Sequence, residues 1–116
     1  MNGQTNRKIY FSRGHNYSTV YSYYVTELVL SSDSTFVEFY YKLPSKKVWK
    51  NYKKYEPKIS QGQISRNGKL YTLTEIIDSK KSEKIRYAKF TNRKLLFYLK
   101  TKDGKLEKLY SMKRKS

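Results

Sequence analysis

The feature that most constrains this chain is a series of tight-turn signals between short strand-like runs. Asp103-Gly104 divides the C-terminal stretch 94–114, and Asn67-Gly68 and Asn92-Arg93 divide earlier stretches in the same way. An Asp-Gly or Asn-Gly pair supplies the two positive-φ residues of a type I′ turn, so it predicts a β-hairpin of fixed register. The sequence therefore predicts antiparallel strands joined by hairpins.

These pairs, taken as two-residue loops, predict which residues face each other. The predicted partners are Lys100 with Glu107, Phe97 with Tyr110, Leu95 with Met112, Phe90 with Leu95, Ala88 with Phe97, Ile64 with Tyr71 and Gly62 with Leu73. The expected core face of the last hairpin consists of Leu95, Phe97, Leu99, Leu106, Tyr110 and Met112. An even loop at 31–34 would place Leu28 opposite Val37, and Glu27 directly across from Glu38.

The order of these runs predicts an all-β fold. The expected strands are 7–12, 17–30 with a break near Ser22, 35–42, 58–65, 69–77, 84–91 and the two arms of 94–114, with a polar loop at 78–83. Seven to eight antiparallel strands at short intervals favour a meander closed into a barrel or folded into a sandwich. A chain of 116 residues is a single domain, 1–116, whose residues 1–6 we expect to be frayed.

Composition narrows the class of protein. Thirteen tyrosines, five phenylalanines and one tryptophan, against two prolines and five glycines, are typical of sheets and not of a disordered tail. The 26 Lys+Arg against nine Asp+Glu give a formal charge of +17, which favours an anionic partner: protein, lipid surface or nucleic acid. The alternative is a compositional bias toward lysine at solvated positions. Cysteine is absent from the sequence, which excludes disulfide and thiolate chemistry.

Three phrases resemble a known group of proteins. They are ELVLSSDSTFVEFYY at 27–41, GQISRNGKLYTLTE at 62–75 and LLFYLKTKDGKLEKLYSMKR at 95–114. Together they resemble the small lipocalin-like β-barrel proteins of Bacteroidetes-type bacteria, many of which are exported or lipid-anchored to the envelope. The resemblance lies in turns and strand patterning, so it implies a lipocalin-like barrel and carries over no catalytic residue.

A row of aromatic residues gives the first candidate binding surface. The predicted registers place Tyr87 beside Tyr98, and Tyr98 beside Leu109, on the face away from the core. The flanking cations are Lys89, Lys100 and Arg86. Aromatic rings among cations are typical of surfaces that bind single-stranded nucleic acid, in which rings stack on bases and lysines contact phosphates.

The stretch LPSKKVWKNYKKYEPK at 43–58 breaks the strand pattern. The helical spacing of its aromatic residues predicts a short amphipathic helix, or alternatively a long ordered loop, at about 45–56. We expect its apolar side to cover the tyrosine row and its lysines to face solvent; the alternative is an open row. The binding candidates in this stretch are Lys47, Trp49, Lys50, Tyr52, Lys53 and Lys54.

The predicted Glu27/Glu38 pair raises an enzymatic hypothesis and a pocket hypothesis. Opposed carboxylates on adjacent strands lie about 5 Å apart, a spacing compatible with retaining glycoside hydrolysis. The simpler interpretation is that each glutamate pairs with a lysine or arginine on a neighbouring strand, and we predict no enzyme. With Tyr23 and Tyr40 the two glutamates are candidates to line a small-ligand pocket, the alternative being an interior filled by its own side chains.

These observations favour a non-enzymatic binding module of the lipocalin-like type, with a basic, tyrosine-rich surface for an anionic ligand or partner. The alternative is a cytoplasmic or phage-borne nucleic-acid-binding protein that uses the same surface. His15 is the lone histidine and the sequence has no cysteine, so we expect no metal site and no cofactor. Residues 1–14 lack the apolar run of a signal peptide, so an exported location is expected only if a leader was removed, and a cytoplasmic one otherwise.

Overall fold

The computed structural model describes residues 7–16, 22–31, 33–91 and 93–115, apart from the side chains of Asn16 and Glu83. These residues form a closed antiparallel barrel in which each strand pairs with the next and the last pairs with the first. The strands are β1 (Lys8–Asn16), β2 (Ser22–Leu30), β3 (Thr35–Leu43), β4 (Lys58–Asn67), β5 (Leu70–Ile77), β6 (Lys80–Thr91), β7 (Lys94–Lys100) and β8 (Leu106–Arg114). The all-β class is confirmed, and of the two predicted architectures the barrel is the one found. The end expected to be frayed, 1–6, lies outside the described residues.

Two hairpins keep their predicted faces. Phe90 faces Leu95 and Ala88 faces Phe97 across β6 and β7, as predicted. In the β4–β5 hairpin the loop is Gly68-Lys69, so Ile64 faces Leu73 rather than Tyr71. Gly68 adopts φ 65°, which glycine takes without a steric penalty. This slip of two residues leaves every side chain on its predicted face, because side chains alternate with a period of two.

The β2–β3 hairpin has an odd loop, so its predicted register is wrong by one residue. The Ser31 amide donates a hydrogen bond to the Thr35 carbonyl at 3.0 Å, and Ser34 adopts φ 65°. Leu28 therefore faces Glu38, and Glu27 faces Phe39. A one-residue change exchanges the faces of one strand relative to its partner. The two glutamates are consequently on opposite faces of the sheet.

The β7–β8 hairpin follows the prediction only away from its turn. Phe97 faces Tyr110 as predicted, but beyond an irregularity Tyr98 faces Lys108 and Lys100 faces Leu106. The predicted Lys100–Glu107 and Tyr98–Leu109 neighbours are therefore wrong. The reason is the turn, in which the Thr101 amide donates to the Lys105 carbonyl at 2.8 Å and Gly104 takes φ 80°. This is a three-residue loop ending in a left-handed glycine, which adds one residue to the last strand.

Two predicted loops are strand instead. The polar segment expected at 78–83 is a tight turn at Asp78 and Ser79, whose φ angles of 52° and 65° are those of a type I′ turn, so β6 begins at Lys80. Arg13-Gly14 was expected to end the first strand, but β1 continues through it to Asn16. Of the expected strand 17–30, residues 17–21 lie outside the described residues and the rest is β2.

The interior is packed at one end of the barrel only. We call this the packed end; it carries the β2–β3, β4–β5 and β6–β7 turns. The buried side chains there are Tyr10, Leu28, Leu30, Phe36, Leu73, Ala88, Leu95, Phe97 and Met112. They come from seven strands, so the predicted filled core exists, but it occupies only the packed end of the interior. At the opposite or open end, Leu99 and Tyr110, both predicted as core, are 51% and 40% exposed.

A second apolar cluster lies outside the barrel. The predicted helix is present as a 3₁₀ helix, Lys46–Lys54, with a kink at Asn51. Its Tyr52 packs on the outer faces of β1, β2 and β3. The buried members of this cluster are Tyr23, Val25, Tyr41, Leu43 and Tyr52, with Phe11, Phe39, Val48, Trp49 and Tyr55 packed around them. The helix therefore covers an outer sheet surface that is formed by apolar residues.

Candidate functional site

The outer face of β6, β7 and β8 carries two tyrosines side by side among lysines. Tyr87 and Tyr98 are register partners, as predicted, and both are half-buried. The Lys89 Nζ lies 5.3 Å from the centre of the Tyr98 ring, and the Lys100 Nζ lies 5.7 Å from the centre of the Tyr87 ring. Each ammonium is thus at cation–π distance from a ring on the neighbouring strand. We call these four residues, with Lys108 opposite Tyr98, the tyrosine–lysine face.

The surroundings of this face are basic. Lys94 and Lys113 are direct register partners next to it, and both are exposed. Among the described side chains from Tyr87 onward, the register places lysines and no acidic residue on this side of β6–β8. Like charges directly opposite each other destabilise a sheet. The arrangement therefore costs folding free energy unless an anion relieves the repulsion.

The 3₁₀ helix does not cover the tyrosine–lysine face, so that expectation is wrong. The helix packs against β2 and β3, whereas Tyr87 and Tyr98 belong to β6 and β7. Its candidate residues divide between two sides. Tyr52 is buried and Trp49 is half-buried in the outer cluster, and the Arg13 guanidinium lies 3.9 Å from the centre of the Trp49 ring. The exposed lysines of the helix, as expected, are Lys46, Lys47, Lys50, Lys53 and Lys54.

Arg86 was expected beside the tyrosine row, but it points into the barrel. It neighbours Tyr87 in sequence, so its side chain belongs to the opposite face of β6. Its Nη1 donates to Glu38 Oε2 at 2.9 Å and to the Tyr110 hydroxyl at 3.4 Å. Burial disfavours the charged guanidinium, but the Glu38 carboxylate outweighs this effect and raises the pKa of Arg86. For Tyr110, burial disfavours the charged phenolate and raises the pKa, although the positive charge of Arg86 acts to lower it.

The predicted pocket residues do not form one site. Glu38 and Tyr40 face the interior of the open end, whereas Tyr23 and Glu27 lie outside the barrel wall in and beside the helix-covered cluster. His15, expected in a loop, is in β1 opposite Tyr23, and the two rings meet edge to face with centres 4.9 Å apart. The odd β2–β3 loop explains the separation, because it exchanges the faces of β3.

Glu27 forms an ion pair with Lys115, the residue that follows β8. The Lys115 Nζ donates to Glu27 Oε2 at 2.9 Å and to the Tyr52 hydroxyl at 2.9 Å. Burial acts to raise the pKa of Glu27, but the hydrogen bonds from Lys115 and Tyr52 outweigh it and the pKa is lowered. Each glutamate of the proposed catalytic pair therefore has its own cation, as the simpler interpretation predicted. The partners are Arg86 across the interior and Lys115 near the β1–β8 seam, not residues of adjacent strands.

The open end of the barrel forms a polar cavity that we call the cup. Its inner part has a volume of about 260 Å³ and is lined by Ser12, Tyr24, Thr26, Glu38, Tyr40, Arg86, Tyr110 and Met112. An outer part of about 630 Å³ shares Glu38, Tyr40 and Arg86 and is further lined by Lys58, Ser60, Glu75, Lys84 and Ile85. The Tyr24 and Tyr40 rings lie nearly parallel, with centres 6.1 Å apart. The cup thus presents an ion pair beside flat aromatic surface.

Sequence reasoning missed several residues of the cup, namely Tyr24, Lys58, Lys84 and Tyr110 as a polar lining. The available signal was the alternation of side chains along a strand. Arg86 and Tyr87 are consecutive and cannot share a face, and Ala88 was already predicted to be inside.

Among the described residues, no group of three or more histidine, cysteine, aspartate or glutamate side chains is placed to hold a metal ion. The 3₁₀ helix is too short and too polar to span a bilayer, and the described part of the chain has no other candidate helix.

Comparisons of the chain with protein-family models, with curated proteins and with solved structures each found no match.

Proposed function

We propose that this protein is a non-enzymatic binding module of the lipocalin-like type whose tyrosine–lysine face binds an anionic polymer. The observation that carries the proposal is the placement of the Lys89 and Lys100 ammonium groups over tyrosine rings, on a surface that the helix leaves open. The proposal includes membership of the lipocalin-like group and an exported or envelope location. The binding surface does not depend on either of these.

The ring contacts prepare the lysines for an anion. A free lysine side chain loses up to about 2 kcal/mol of rotamer entropy when it is fixed, and binding normally bears that loss. Lys89 and Lys100 already lie against rings in the unbound protein, so less freedom remains to be lost. The repulsion between Lys94 and Lys113 adds a second gain, because a bound polyanion screens it.

The second candidate function is binding of single-stranded nucleic acid by base stacking. The specific observation in its favour is the half-exposed Tyr87–Tyr98 pair on adjacent strands. Both rings already carry an ammonium at 5.3 and 5.7 Å, so a base must displace a lysine or stack beyond it. We therefore place contact with phosphate or sulfate groups ahead of stacking.

The test is a salt titration of binding to heparin and to a single-stranded oligonucleotide. Replacing Lys89 and Lys100 by Gln removes two cations from the tyrosine–lysine face. We expect affinity to fall and the slope of log K against log salt to shrink by about 0.7 to 0.9 per lost contact. The matched control replaces Lys47 and Lys50 by Gln, which removes the same charge from the exposed side of the helix.

Equal losses in the two double variants would show that net charge alone drives binding, and the proposed surface would be rejected. Tyr98→Ala separates the two candidate functions. If bases stack on this ring, oligonucleotide binding should weaken by about 1 to 3 kcal/mol. If the face only contacts anionic groups, heparin and oligonucleotide binding should weaken together and by a smaller amount.

A further inference from the structure

The cup is a cavity that the proposed function does not use. It opens into the interior of the barrel, whereas the tyrosine–lysine face lies on the outside. Below the cup, the packed end is filled by side chains such as Phe36, Leu95 and Phe97, each 1% exposed or less. Among the described residues the interior therefore offers no continuous apolar channel for an alkyl chain, and a ligand of the cup has to match a polar surface.

The Glu38–Arg86 pair has hydrogen-bonding capacity to spare. One guanidinium nitrogen, Nη1, donates both of these hydrogen bonds, to Glu38 Oε2 and to the Tyr110 hydroxyl. A guanidinium carries five N–H donors and a carboxylate about four acceptor sites. Within the described part of the chain, Nε and Nη2 of Arg86 and Oε1 of Glu38 have no hydrogen-bond partner. The side chains are 29% and 17% exposed, so both remain accessible from the cup.

This pair favours a ligand group that both donates and accepts. A lone anion placed against Arg86 also meets the Glu38 carboxylate, and a lone cation placed against Glu38 also meets the guanidinium, 2.9 Å away. A hydroxyl group can donate to Glu38 or accept from Arg86. Neighbouring hydroxyls on one ring can do both at once, without burying a net charge.

The two parallel tyrosine rings of the cup favour a ligand that contains a ring. Tyr24 and Tyr40 lie nearly parallel, at an angle of 13°, and present flat surface next to the ion pair. Such a surface packs against the C–H face of a saturated ring while its hydroxyl edge reaches polar groups. The inner cup, about 260 Å³, has the volume of roughly nine water molecules at about 30 Å³ each. That space suits one six-membered ring and its substituents.

We propose that the cup binds a neutral polyhydroxylated ring of monosaccharide size, with Glu38 and Arg86 holding its hydroxyl groups and Tyr24 and Tyr40 packing against its face. The outer cup leaves room for a second unit. Its mouth carries Lys58 and Lys84 against Glu75, which are solvated or partly so and do not define the ligand's charge.

The test is calorimetric and NMR titration of the whole chain with glucose, galactose, mannose, N-acetylglucosamine and their disaccharides, and with glucuronate and glucosamine as charged counterparts. At least one neutral sugar should bind and perturb the backbone signals around Glu38 and Arg86. Glu38→Gln and Tyr24→Leu should each weaken its binding about tenfold, the effect of losing one charged hydrogen bond or one packing wall. Tyr87→Leu makes the same change on the outer face and should leave sugar binding unaltered.

Three outcomes overturn the proposal: no neutral sugar binds, a charged counterpart binds more tightly than every neutral sugar, or binding survives both cup variants. If Glu38→Gln does not fold, because it leaves Arg86 without its carboxylate, Tyr24→Leu and Tyr40→Leu carry the test. Polyanion binding is measured with lysine variants of the outer face, so either proposal can fail while the other stands.

Discussion

The two ends of the barrel interior are built from the same eight strands but in different ways. At the packed end, Leu28, Ala88 and Leu95 are fully buried, and seven of the eight strands contribute buried side chains that fill the centre. At the open end, the inward positions of the same strands carry Glu38, Arg86 and three tyrosines around a cavity. Strand pairing is common to both, so pairing alone does not determine whether the interior is filled.

The difference shows how stability and binding are divided in a small barrel. Burial of apolar area contributes about 25 cal/mol per Å², and the packed end collects most of it inside the barrel. The open end exposes polar groups that the Glu38–Arg86–Tyr110 contacts satisfy only in part. A chain of 116 residues therefore keeps the open end of its interior accessible. The outer cluster under the 3₁₀ helix adds a second buried region.

The largest effect is expected from a substitution that removes a buried side chain from the packed end. Phe97→Ala should lower the free energy of unfolding by about 3 to 5 kcal/mol, because it leaves a cavity among side chains that cannot close around it. Phe97 is 1% exposed and its ring stacks on Tyr110 with centres 4.7 Å apart. Urea denaturation followed by circular dichroism measures the change.

The matched variant at the open end is Tyr24→Ala, which removes an aromatic ring of similar size from the cup. We expect a loss of about 1 kcal/mol, typical of a half-buried position. Equal losses at the two ends would contradict the comparison, since they would mean that the cup closes and packs in solution.

Two glycine-to-alanine substitutions test the same comparison between the packed end and the open end, with a smaller expected effect. A Cβ on Gly62 would lie 2.0 Å from the Thr74 carbonyl oxygen and 2.6 Å from the Phe36 ring. Gly62→Ala should therefore destabilise the barrel by about 1 to 3 kcal/mol, the usual effect of overpacking. A Cβ on Gly14, near the open end, would meet only the Tyr24 side chain at 3.0 Å, which can move. Gly14→Ala should have the lesser effect in thermal or urea unfolding, and the reverse order would contradict the difference in rigidity.

Sequence reasoning predicted strands well and registers unevenly. The β6–β7 register was predicted correctly, and the β4–β5 error of two residues changed no face. The patterns at Asp103-Gly104 and at 31–34 predict even loops, but each loop closes with one residue in the left-handed region, Gly104 and Ser34. Whether a loop has two or three residues depends on small differences in backbone energy. The presence of Gly or Ser in the loop does not reveal these differences.

The site was harder to predict because it depends on whether each loop has an odd or an even number of residues. One odd loop separated Glu27 from Glu38, and Glu38 then met Arg86, 48 positions away in sequence. The contact crosses the barrel interior, so no local pattern contains it. Tyr87 beside Tyr98 was predictable, since it needs only one turn. The position of the helix over β1–β3 was not, because its apolar side fits any apolar sheet surface.

The smallest stability effect is expected outside both ends, where Lys115 joins Glu27 to Tyr52. The folded-state pKa of Glu27 lies below its ordinary value of 4.5. Its contribution to stability is therefore complete above pH 4.5 and is lost as the pH falls through the lowered pKa. Lys115→Ala removes the largest of the hydrogen-bond effects that lower this pKa, so that only the Tyr52 hydroxyl and the charge of Lys53 still oppose the raising effect of burial. The Lys115 side chain is 43% exposed, so the loss at neutral pH should be below about 1 kcal/mol.

Urea unfolding of the two proteins across neutral to acidic pH measures this contribution. The stability curves should lie apart at neutral pH and converge on acidification, because a protonated Glu27 no longer distinguishes a protein with Lys115 from one without it. Lys113→Ala is the control, since it removes an exposed lysine two residues earlier and should give a gap that does not depend on Glu27. A gap between wild type and Lys115→Ala that stays constant into acid would show that Lys115 acts through the Tyr52 hydroxyl or through packing on Phe11, whose ring centre is 5.4 Å from its Nζ. In that case the Lys115 side chain would stabilise the protein as an extension of the outer cluster and not through its ion pair with Glu27.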